Sequence, residues 1–312
     1  MLSTIDLPRF SIVTPSFNQA RYLEATIKSV LSQDYPNLEY FIFDGGSNDG
    51  SVEIIRRYAP SLTYWESEKD GGQSDAIAKG FNRATGTLLN WLNSDDMLAP
   101  EALWQIAKLH RSDPDAGIYA AAVENFREVG ETSIREKVVP ANLDLESLLF
   151  LSGRPVRRHQ PGIFFSRTLY ERAGSVDHRF HYCMDYDVHA RLLLAGGRVT
   201  YGDTVVAYFR QHETAKTSIA MLNTSHIVQE YMTISEEAGA RAGLKPNHRG
   251  AHLHTLCGAM ATGIMRGQWR EARACFALAR PIAGLMGMVA CFARQAWRRL
   301  SLSCSNEEIH GR

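Results

Sequence analysis

Two adjacent aspartates, Asp95 and Asp96, are the residues of this sequence whose spacing most directly suggests chemistry. Neighbouring carboxylates repel each other, and a hard divalent cation held between them and a phosphate relieves that repulsion. A nucleoside diphosphate leaving group needs the same charge neutralisation when its bond to sugar breaks. A second interpretation stays open, because Pro100 and Glu101 follow closely and aspartate is common where a helix begins. The pair predicts either a magnesium or manganese site or a helix start.

Three further polar clusters follow strand-like apolar runs, at residues 15–18, 44–51 and 69–75. Glycine, asparagine, aspartate and serine are the usual turn formers, so any one cluster alone is most simply a turn. In a parallel sheet, however, ligands bind beyond the carboxyl ends of the strands. Four clusters on one edge, counting the aspartate pair, predict a binding site there.

The elements that must position these clusters alternate between strands and helices. Alternation at this spacing predicts βαβ units and a mostly parallel sheet covered on both faces. The predicted strands are residues 10–14, 38–43, 62–65 and 87–92, and the predicted helices are residues 21–32, 51–58 and 74–84.

The second half of the chain is predicted to extend this sheet and then become helical. A polar excursion is expected up to Val139, and helical patterns are expected from Thr217 onward, with a turn and helix at residues 263–278. The further predicted elements are strands at 116–122, 162–166, 198–201 and 205–209, and helices at 169–173 and from 185 to the glycine pair at 196–197. These patterns predict a domain at residues 1–215 and a helical region at 216–312.

Two long motifs carry a resemblance to a known family. FSIVTPSFNQARYLEATIKSVLSQDYPNLEYFIFDGGSNDGS and KDGGQSDAIAKGFNRATGTLLNWLNSDD are similar to the family 2 glycosyltransferases of the GT-A fold. The resemblance covers roughly residues 9–215. It implies a Rossmann-like α/β sheet and inverting transfer, by direct displacement, from a UDP- or dTDP-sugar to an acceptor hydroxyl. It also implies Mg²⁺ or Mn²⁺ as cofactor, a saccharide or lipid-linked acceptor, and a setting in cell-surface polysaccharide or glycolipid assembly.

The resemblance also implies roles for particular residues. Asn93 occupies the first position of the family's Asp-x-Asp region, which binds ribose and metal, so the metal role shifts to Asp95 and Asp96. His212 matches a position near the metal and diphosphate, although a lone histidine is more often a surface or core residue. The remaining implied contacts are Pro15, Phe17 and Asn18 in the nucleotide pocket, Asp44 at the base, and Asp75 and Lys79 beside the diphosphate-sugar.

Asp185 is the candidate catalytic base. By the resemblance it matches the aspartate of the family's Glu-Asp motif, with Met184 in place of the commoner glutamate. Such a base takes the proton from the acceptor hydroxyl, and it works best when a partly buried site raises its pKa. From the residues alone, Asp185 is equally an N-cap. Asp187 with Arg191 forms an i,i+4 pair that suits a structural role.

A polar run at residues 157–160 precedes the predicted strand at 162–166. A solvated loop is the simplest interpretation. A contact with the acceptor or with phosphate is the alternative.

Composition excludes some classes of function. Lys plus Arg and Asp plus Glu number 34 each, so no net basic charge indicates nucleic acid as a partner. The five cysteines include no CxxC pair, which favours a reducing compartment over a disulfide framework. No signal-peptide pattern opens the chain, and no run reaches the roughly 18 apolar residues of a membrane span. We therefore expect a cytoplasmic location.

The C-terminal segment at residues 281–300 combines an uncharged run with the arginines that follow it. An apolar stripe recurs there at helical spacing, which suits a helix lying in lipid headgroups at the inner face of a membrane. Packing on the helix at 269–278, or in a dimer interface, is the alternative. The stripe consists of Ile282, Leu285, Met286, Val289, Phe292, Ala293, Ala296, Trp297 and Leu300.

Two other functions compete with glycosyl transfer. A sugar nucleotidyltransferase has a similar sheet but needs a glycine-rich, basic loop after the first strand, which PSFNQ does not supply. A non-catalytic nucleotide-sugar-binding protein is the other rival. The presence of both Asp95 and Asp185 argues against it.

Overall fold

The computed structural model describes residues 7–129, 132–216 and 224–307, with side chains described up to residue 291. Within these residues nine strands form one sheet. The strands are β1 (Phe10–Ser16), β2 (Leu38–Asp44), β3 (Tyr64–Ser67), β4 (Leu88–Trp91), β5 (Met97–Leu98), β6 (Gly117–Val129), β7 (Thr132–Val138), β8 (Ile163–Ser166) and β9 (Arg198–Arg210).

The helices of the described residues follow the same order along the chain. In α1, the buried residues Leu23, Ile27 and Val30 recur at helical spacing and face the sheet. The helices are α1 (Ala20–Leu31), α2 (Ser51–Tyr58), α3 (Gln73–Arg83), α4 (Ala102–Ser112), α5 (Leu145–Leu148), α6 (Arg167–Ala173), α7 (Met184–Leu194), α8 (Thr224–Ala242), α9 (His248–Met265) and α10 (Trp269–Glu307).

The sheet has the order β3-β2-β1-β4-β8-β6-β9-β5, and β7 pairs with β6. The first four strands are mutually parallel, and β6 runs parallel to β9. The strand β8 is antiparallel to both β4 and β6. The predicted α/β fold with a mostly parallel central sheet is confirmed, and the carboxyl ends of β1, β2 and β4 meet at one edge.

Strand β1 lies at the centre of the parallel part and is buried along its whole length, as expected for a strand with helices on both faces. Phe10 packs edge-on against Tyr35, with ring centroids 5.0 Å apart. On the opposite face, α3 approaches so closely that a Cβ on Gly80 would lie 2.6 Å from Val13 Cγ2. This close packing fixes the position of α3 over the sheet.

Two predictions for the second half of the chain are wrong. The polar excursion up to Val139 is instead the end of β6 and the strand β7, which form an antiparallel hairpin. Strand β7 is largely exposed and charged, so it lacks an apolar pattern. The two strands predicted at 198–201 and 205–209 are one strand, β9, because an irregularity in its pairing with β6 accommodates residues 202–204.

The chain divides into two compact units. The first comprises the chain up to Leu148 together with Arg154–His212, and the second comprises Leu149–Gly153 and the chain from Glu213 onward. The second unit contains α8, α9 and α10, so the expected C-terminal helices are confirmed for the described residues. Its core includes Leu256, Cys257 and Cys275, all fully buried. The predicted limits 1–215 and 216–312 stay a prediction, and residues 217–223 lie outside the described chain.

The sequence predicts no run of about 18 apolar residues, and one helical segment of the second unit comes near that limit. By length and composition the segment Trp269–Cys291 is apolar enough to cross a membrane, and 22% of its most apolar window is buried. That window contains one charged residue, Arg280, and its mean hydropathy is still 1.7. The backbone of Gly284 is not helical (φ 64°, ψ 172°), so α10 consists of two helices joined at this residue.

Candidate functional site

Asn18 joins the loops that follow β1 and β2. Its N–H donates to Ser47 Oγ at 2.7 Å, and its Oδ1 accepts from the Asn48 N–H at 3.1 Å. Asn18 has a left-handed backbone (φ 51°), which asparagine tolerates better than most residues. Pro15 is buried at the end of β1, whereas Phe17 is 60% exposed. The Phe17 ring therefore stands on the rim of the sheet.

Asp44 ends β2, and its carboxylate accepts hydrogen bonds from the loop that follows and from the end of β3. Oδ2 accepts from the N–H groups of Gly46 and Ser47, at 3.2 and 2.9 Å, and from Ser67 Oγ at 2.7 Å. Oδ1 accepts from Ser47 Oγ at 2.6 Å. A carboxylate has about four acceptor positions, and Asp44 is only 2% exposed. The structure thus gives Asp44 a role in ordering this loop, and base recognition by its side chain stays a prediction.

Asp75 and Lys79 lie one turn apart in α3, with Nζ 3.4 Å from Oδ2. Lys79 also contacts Glu66 at 3.6 Å and Glu68 at 3.3 Å. Burial acts to lower the pKa of Lys79, but the hydrogen bond that Lys79 donates to Glu68 and the charge of Asp75 outweigh burial and raise that pKa. The Gly71 N–H donates to Asp75 Oδ2 at 3.1 Å and, with Lys79, lowers the pKa of Asp75. The lysine is therefore a cation held by three carboxylates.

The two aspartates in the turn after β4, Asp95 and Asp96, differ in solvent exposure. Asp96 is 1% exposed, whereas the Asp95 side chain is 21% exposed. The Arg210 N–H donates to Asp96 Oδ1 at 3.0 Å, and Asn93 Nδ2 donates to Asp96 Oδ2 at 3.4 Å. Thr26 Oγ1 donates to the Asp96 carbonyl at 2.7 Å. Burial, and then the charge of Asp95, raises the pKa of Asp96 well above its usual value. Asp95 is the carboxylate available to a ligand.

His212 stands beside Asp95, with Nε2 3.0 Å from Oδ2. Neighbouring ligands of an octahedral Mg²⁺ ion at about 2.1 Å are roughly 3 Å apart, so these two atoms fit one such ion. Among the described residues no group of three or more His, Cys, Asp or Glu side chains could hold a metal. Diphosphate oxygens and water would therefore complete the coordination, which is the usual mode for Mg²⁺.

Asp185 lies in the first turn of α7, after the N-cap residue Cys183, so it is not itself the N-cap. Arg158 Nη1 donates to Asp185 Oδ2 at 2.6 Å. Burial acts to raise the pKa of Asp185, but the charge of Arg158 and this hydrogen bond outweigh burial and lower the pKa. A raised pKa was expected for the base, but the pKa of Asp185 is lowered because the partly buried carboxylate is paired with the Arg158 cation. Asp185 is ionised at neutral pH.

Asp187 has structural partners. Its Oδ2 accepts from Arg191 Nε at 3.0 Å and Nη2 at 2.7 Å. Arg191 Nη1 also donates to the carbonyls of Ala173 and Gly174, at 3.1 and 2.7 Å. Asp187 is 5% exposed. This buried pair attaches α7 to the end of α6, which supports the structural interpretation of the i,i+4 spacing.

His189, one turn after Asp185, was not singled out from the sequence. It is fully buried and stacks on Trp91, with ring centroids 6.4 Å apart. Burial lowers its pKa to about 3, so the imidazole is neutral. Neither ring nitrogen has a hydrogen-bond partner among the described residues. In the sequence His189 stands between the apolar residues Val188 and Ala190, which was the local signal for this buried position.

The polar run at 157–160 is not simply a solvated loop. Arg158 is 11% exposed and pairs with the candidate base. His159 stacks on an aromatic ring of β9, and burial lowers its pKa. Gln160 is buried and donates to the Trp91 carbonyl at 2.6 Å. The segment 157–160 leads into the buried strand β8, so part of it is already inside the protein. A largely buried arginine such as Arg158 needs an acidic partner.

The first turn of α3 connects the two halves of the candidate site. Gln73 Nε2 donates to Asn93 Oδ1 at 2.7 Å, in the turn that carries the candidate metal ligand. Ser74 Oγ lies 3.1 Å from the sulfur of Met184, the residue before the candidate base. The same helix turn thus contacts both groups and places them at one edge of the sheet.

Comparison with known proteins identifies relatives over this part of the chain. The family model described as Glycosyl transferase family 2 matches residues 11–184, more than half of the chain. An uncharacterised glycosyltransferase of Mycobacterium tuberculosis is 33% identical over 196 residues, which are 62% of this chain and 72% of that protein. A PGL/p-HBAD biosynthesis glycosyltransferase of Mycobacterium bovis is 30% identical over 213 residues, 65% and 77% of the two chains.

Solved structures show the same architecture. A mannosyltransferase of Pyrobaculum calidifontis in complex with GDP-Man and Mn²⁺ aligns with a TM-score of 0.57 and 19% identity, over 94% of this chain and 88% of that one. S. aureus TarS 1–349 in complex with UDP aligns with a TM-score of 0.56 and 15% identity, over 74% of this chain. The alignment spans 65% of the TarS chain, less than two thirds of its length. These likenesses show the GT-A fold, and the family match shows that the chain is a glycosyltransferase belonging to glycosyl transferase family 2.

Proposed function

We propose that this protein transfers a sugar, with inversion, from a UDP- or dTDP-sugar to a hydroxyl of a saccharide or lipid-linked acceptor. The observation that carries the proposal is the contact of the first turn of α3 with both the Asp95 turn and the start of α7. That contact supports the proposal because it holds Asp95, the proposed cation ligand, and Asp185, the candidate base, at one edge of the sheet. The M. bovis relative is named for PGL/p-HBAD biosynthesis, which supports a glycolipid setting.

On this proposal the donor lies along the carboxyl ends of β1, β2 and β4. The exposed Phe17 ring offers a surface for the nucleoside, next to Asn18. Asp95 and His212 would hold Mg²⁺ or Mn²⁺, with Asp96 as the buried support of the Asp95 turn. When bound, such a cation would supply charge neutralisation for the diphosphate leaving group. Lys79 and Asp75 border the sugar-diphosphate.

The base acts on the acceptor. Asp185 Oδ2 is held by Arg158, and the other carboxylate oxygen takes the acceptor proton as that hydroxyl attacks the anomeric carbon. A bond forms between the acceptor oxygen and the anomeric carbon, while the bond from that carbon to the diphosphate oxygen breaks. The diphosphate leaves with the electron pair. Since the pKa of Asp185 is lowered, proton transfer is expected late, after the hydroxyl has become more acidic.

The cellular setting is part of the same proposal. We place the enzyme in the cytoplasm or at the inner face of the membrane, with catalysis in residues 1–215 and the helical region 216–312 in a supporting role.

Thermal unfolding with a panel of nucleotide sugars tests the donor site. With Mn²⁺ and ligand at about 100 times Kd, a true donor should raise the Tm by roughly 5 °C or more. EDTA should reduce that shift. UDP- and dTDP-sugars are compared with GDP-mannose, and acceptor-independent release of the nucleoside diphosphate is then measured. A Tm shift with GDP-mannose alone would contradict the proposed donor class. Formation of a nucleoside triphosphate and sugar 1-phosphate from the nucleotide sugar, on addition of pyrophosphate, would indicate a nucleotidyltransferase instead.

A further inference from the structure

After Gly284, the helix α10 is apolar on two opposite sides. One side carries Met288 and Cys291, which are 2% and 8% exposed and pack in the core of the helical unit. A helix that is apolar all round is normally buried, yet no described part of the chain covers the other side. That side, called the lipid face below, carries three large side chains that are 63%, 88% and 62% exposed: Leu285, Met286 and Val289.

The helical unit that carries the lipid face is rich in positive charge. Arg249 of α9 reaches the same helix, because a Cβ built on Gly287 would lie 3.8 Å from Arg249 Nη2. From residue 238 to 306 the chain has ten basic residues and one acidic residue, whereas the rest of the chain has 24 basic and 33 acidic residues. The single acid, Glu271, accepts hydrogen bonds from the N–H and hydroxyl of Ser225, at 2.8 and 2.7 Å. The segment is thus strongly cationic within a chain of zero net charge.

We propose that the lipid face binds the surface of an anionic bilayer, with Leu285, Met286 and Val289 inserted among the headgroups and the arginines paired with lipid phosphates. Exposed apolar side chains beside basic ones are the combination that holds an in-plane helix at such a surface. The proposal concerns the helical unit alone. It suits a lipid-linked acceptor, but it does not depend on sugar transfer.

The geometry favours this surface position over a membrane span through Trp269–Cys291. The backbone break at Gly284 would leave N–H and C=O groups without helical partners inside hydrocarbon. A span would also remove Cys275, Met288 and Cys291 from the core they share with α9. Arg280 would lie within the apolar layer, where a charge is unfavourable.

Vesicle flotation of the full chain, without donor or acceptor, tests the proposal. The protein should float with vesicles of about 70% phosphatidylcholine and 30% phosphatidylglycerol at about 50 mM salt. It should float poorly with phosphatidylcholine alone, and roughly 500 mM salt should release it from the anionic vesicles. Washing with alkaline carbonate should also release it.

A variant with Leu285→Glu, Met286→Glu and Val289→Glu should bind anionic vesicles at least roughly tenfold more weakly. The matched control is Val129→Glu with Ile134→Glu, two residues of the β6–β7 hairpin that are 47% and 55% exposed. This control should bind like the wild type. Circular dichroism and Tm confirm that both variants fold. Arg249→Gln should weaken binding and reduce its salt dependence.

Three results would overturn the proposal. The first is a full-length protein that stays unbound at low salt. The second is retention in the membrane after alkaline carbonate, which indicates a span. The third is a dimer, seen by light scattering, that the three glutamates abolish while vesicle binding is unchanged. Because donor-induced Tm shifts are measured separately, each result leaves the proposed transferase activity to be judged on its own.

Discussion

Arg158 Nη1 donates to Asp185 Oδ2 at 2.6 Å, and the two side chains are 11% and 28% exposed. The contact joins the segment before β8 to the first turn of α7. Without the arginine, burial would be the dominant influence on the Asp185 carboxyl group. The pKa of the candidate base is therefore set by Arg158, and the pH dependence of transfer should reveal it.

We predict that Arg158→Met moves the acid limb of the kcat/KM profile to higher pH. Arg158 lowers the pKa of Asp185, so the wild-type base stays ionised as the pH falls below the ordinary aspartate range. Methionine keeps an apolar stem but removes the charge, and burial then raises the pKa of Asp185. We expect a shift of about 1 pH unit or more, measured between about pH 4 and pH 8.

Arg154→Met is the matched control for this experiment. Arg154 pairs with Asp144 at 3.1 Å, but the two side chains are 55% and 42% exposed, so the pair contributes little. Its profile should coincide with that of the wild type. An unchanged acid limb in Arg158→Met would show that Asp185 does not control the profile.

Asp185→Asn should abolish most of the transfer and spare donor binding. The amide keeps the shape of the side chain but accepts no proton, and loss of a general base costs roughly 10²-fold or more in rate. Donor affinity, measured by Tm shift, should stay within a few-fold of the wild type. Near-normal turnover in this variant would show that another group acts as the base.

Asp187→Asn separates structure from catalysis two residues further along. Asp187 and Arg191 are buried partners that attach α7 to α6. Removing the carboxylate charge should lower the free energy of unfolding by about 2 kcal/mol or more. Transfer per folded molecule should stay close to wild type. A loss of activity without a loss of stability would instead make Asp187 part of the reaction.

The sequence predicted the parallel half of the sheet well because its strands are continuous apolar runs. Strands β1 and β2 begin at the predicted residues, Phe10 and Leu38. The β6–β7 hairpin was missed because β7 is an exposed edge strand whose charged residues leave no apolar pattern. The strand conformation of β7 depends on backbone hydrogen bonds to β6 and not on the burial of apolar side chains.

The site was predicted in location but not in detail. Local spacing placed Asp95 and Asp96 on the rim of the sheet, but it gave no information on which carboxylate is exposed. Asp96 is the buried one because it accepts a hydrogen bond from the Arg210 N–H, which lies more than a hundred residues further along the chain. Arg158 likewise contacts Asp185, from which it is separated by 27 residues along the chain. Contacts of this kind depend on the tertiary fold and leave no periodic signal.

The metal hypothesis predicts different outcomes for the two aspartates. Asp95→Asn should remove the strengthening of UDP binding by Mn²⁺, because Asp95 is the exposed carboxylate beside His212. Asp96→Asn keeps an acceptor for the Arg210 N–H, so Mn²⁺ should still strengthen binding in that variant. Calorimetric titration with Mn²⁺ and with EDTA measures both. Equal UDP affinity with Mn²⁺ and EDTA in the wild type would contradict the metal site itself.

The last prediction concerns the packing that holds α3, and with it the centre of the site. A Cβ on Gly80 would lie 2.6 Å from Val13 Cγ2 and would also contact Cγ1, so Gly80→Ala must push α3 away from β1. We expect a loss of about 1–3 kcal/mol in unfolding free energy. Val13→Ala alone also destabilises, because it removes buried methyl groups, but it makes room for the alanine. The double variant should therefore be more stable than the two single losses predict, by more than about 0.5 kcal/mol in urea unfolding. Strict additivity would mean that Gly80 and Val13 do not make this contact.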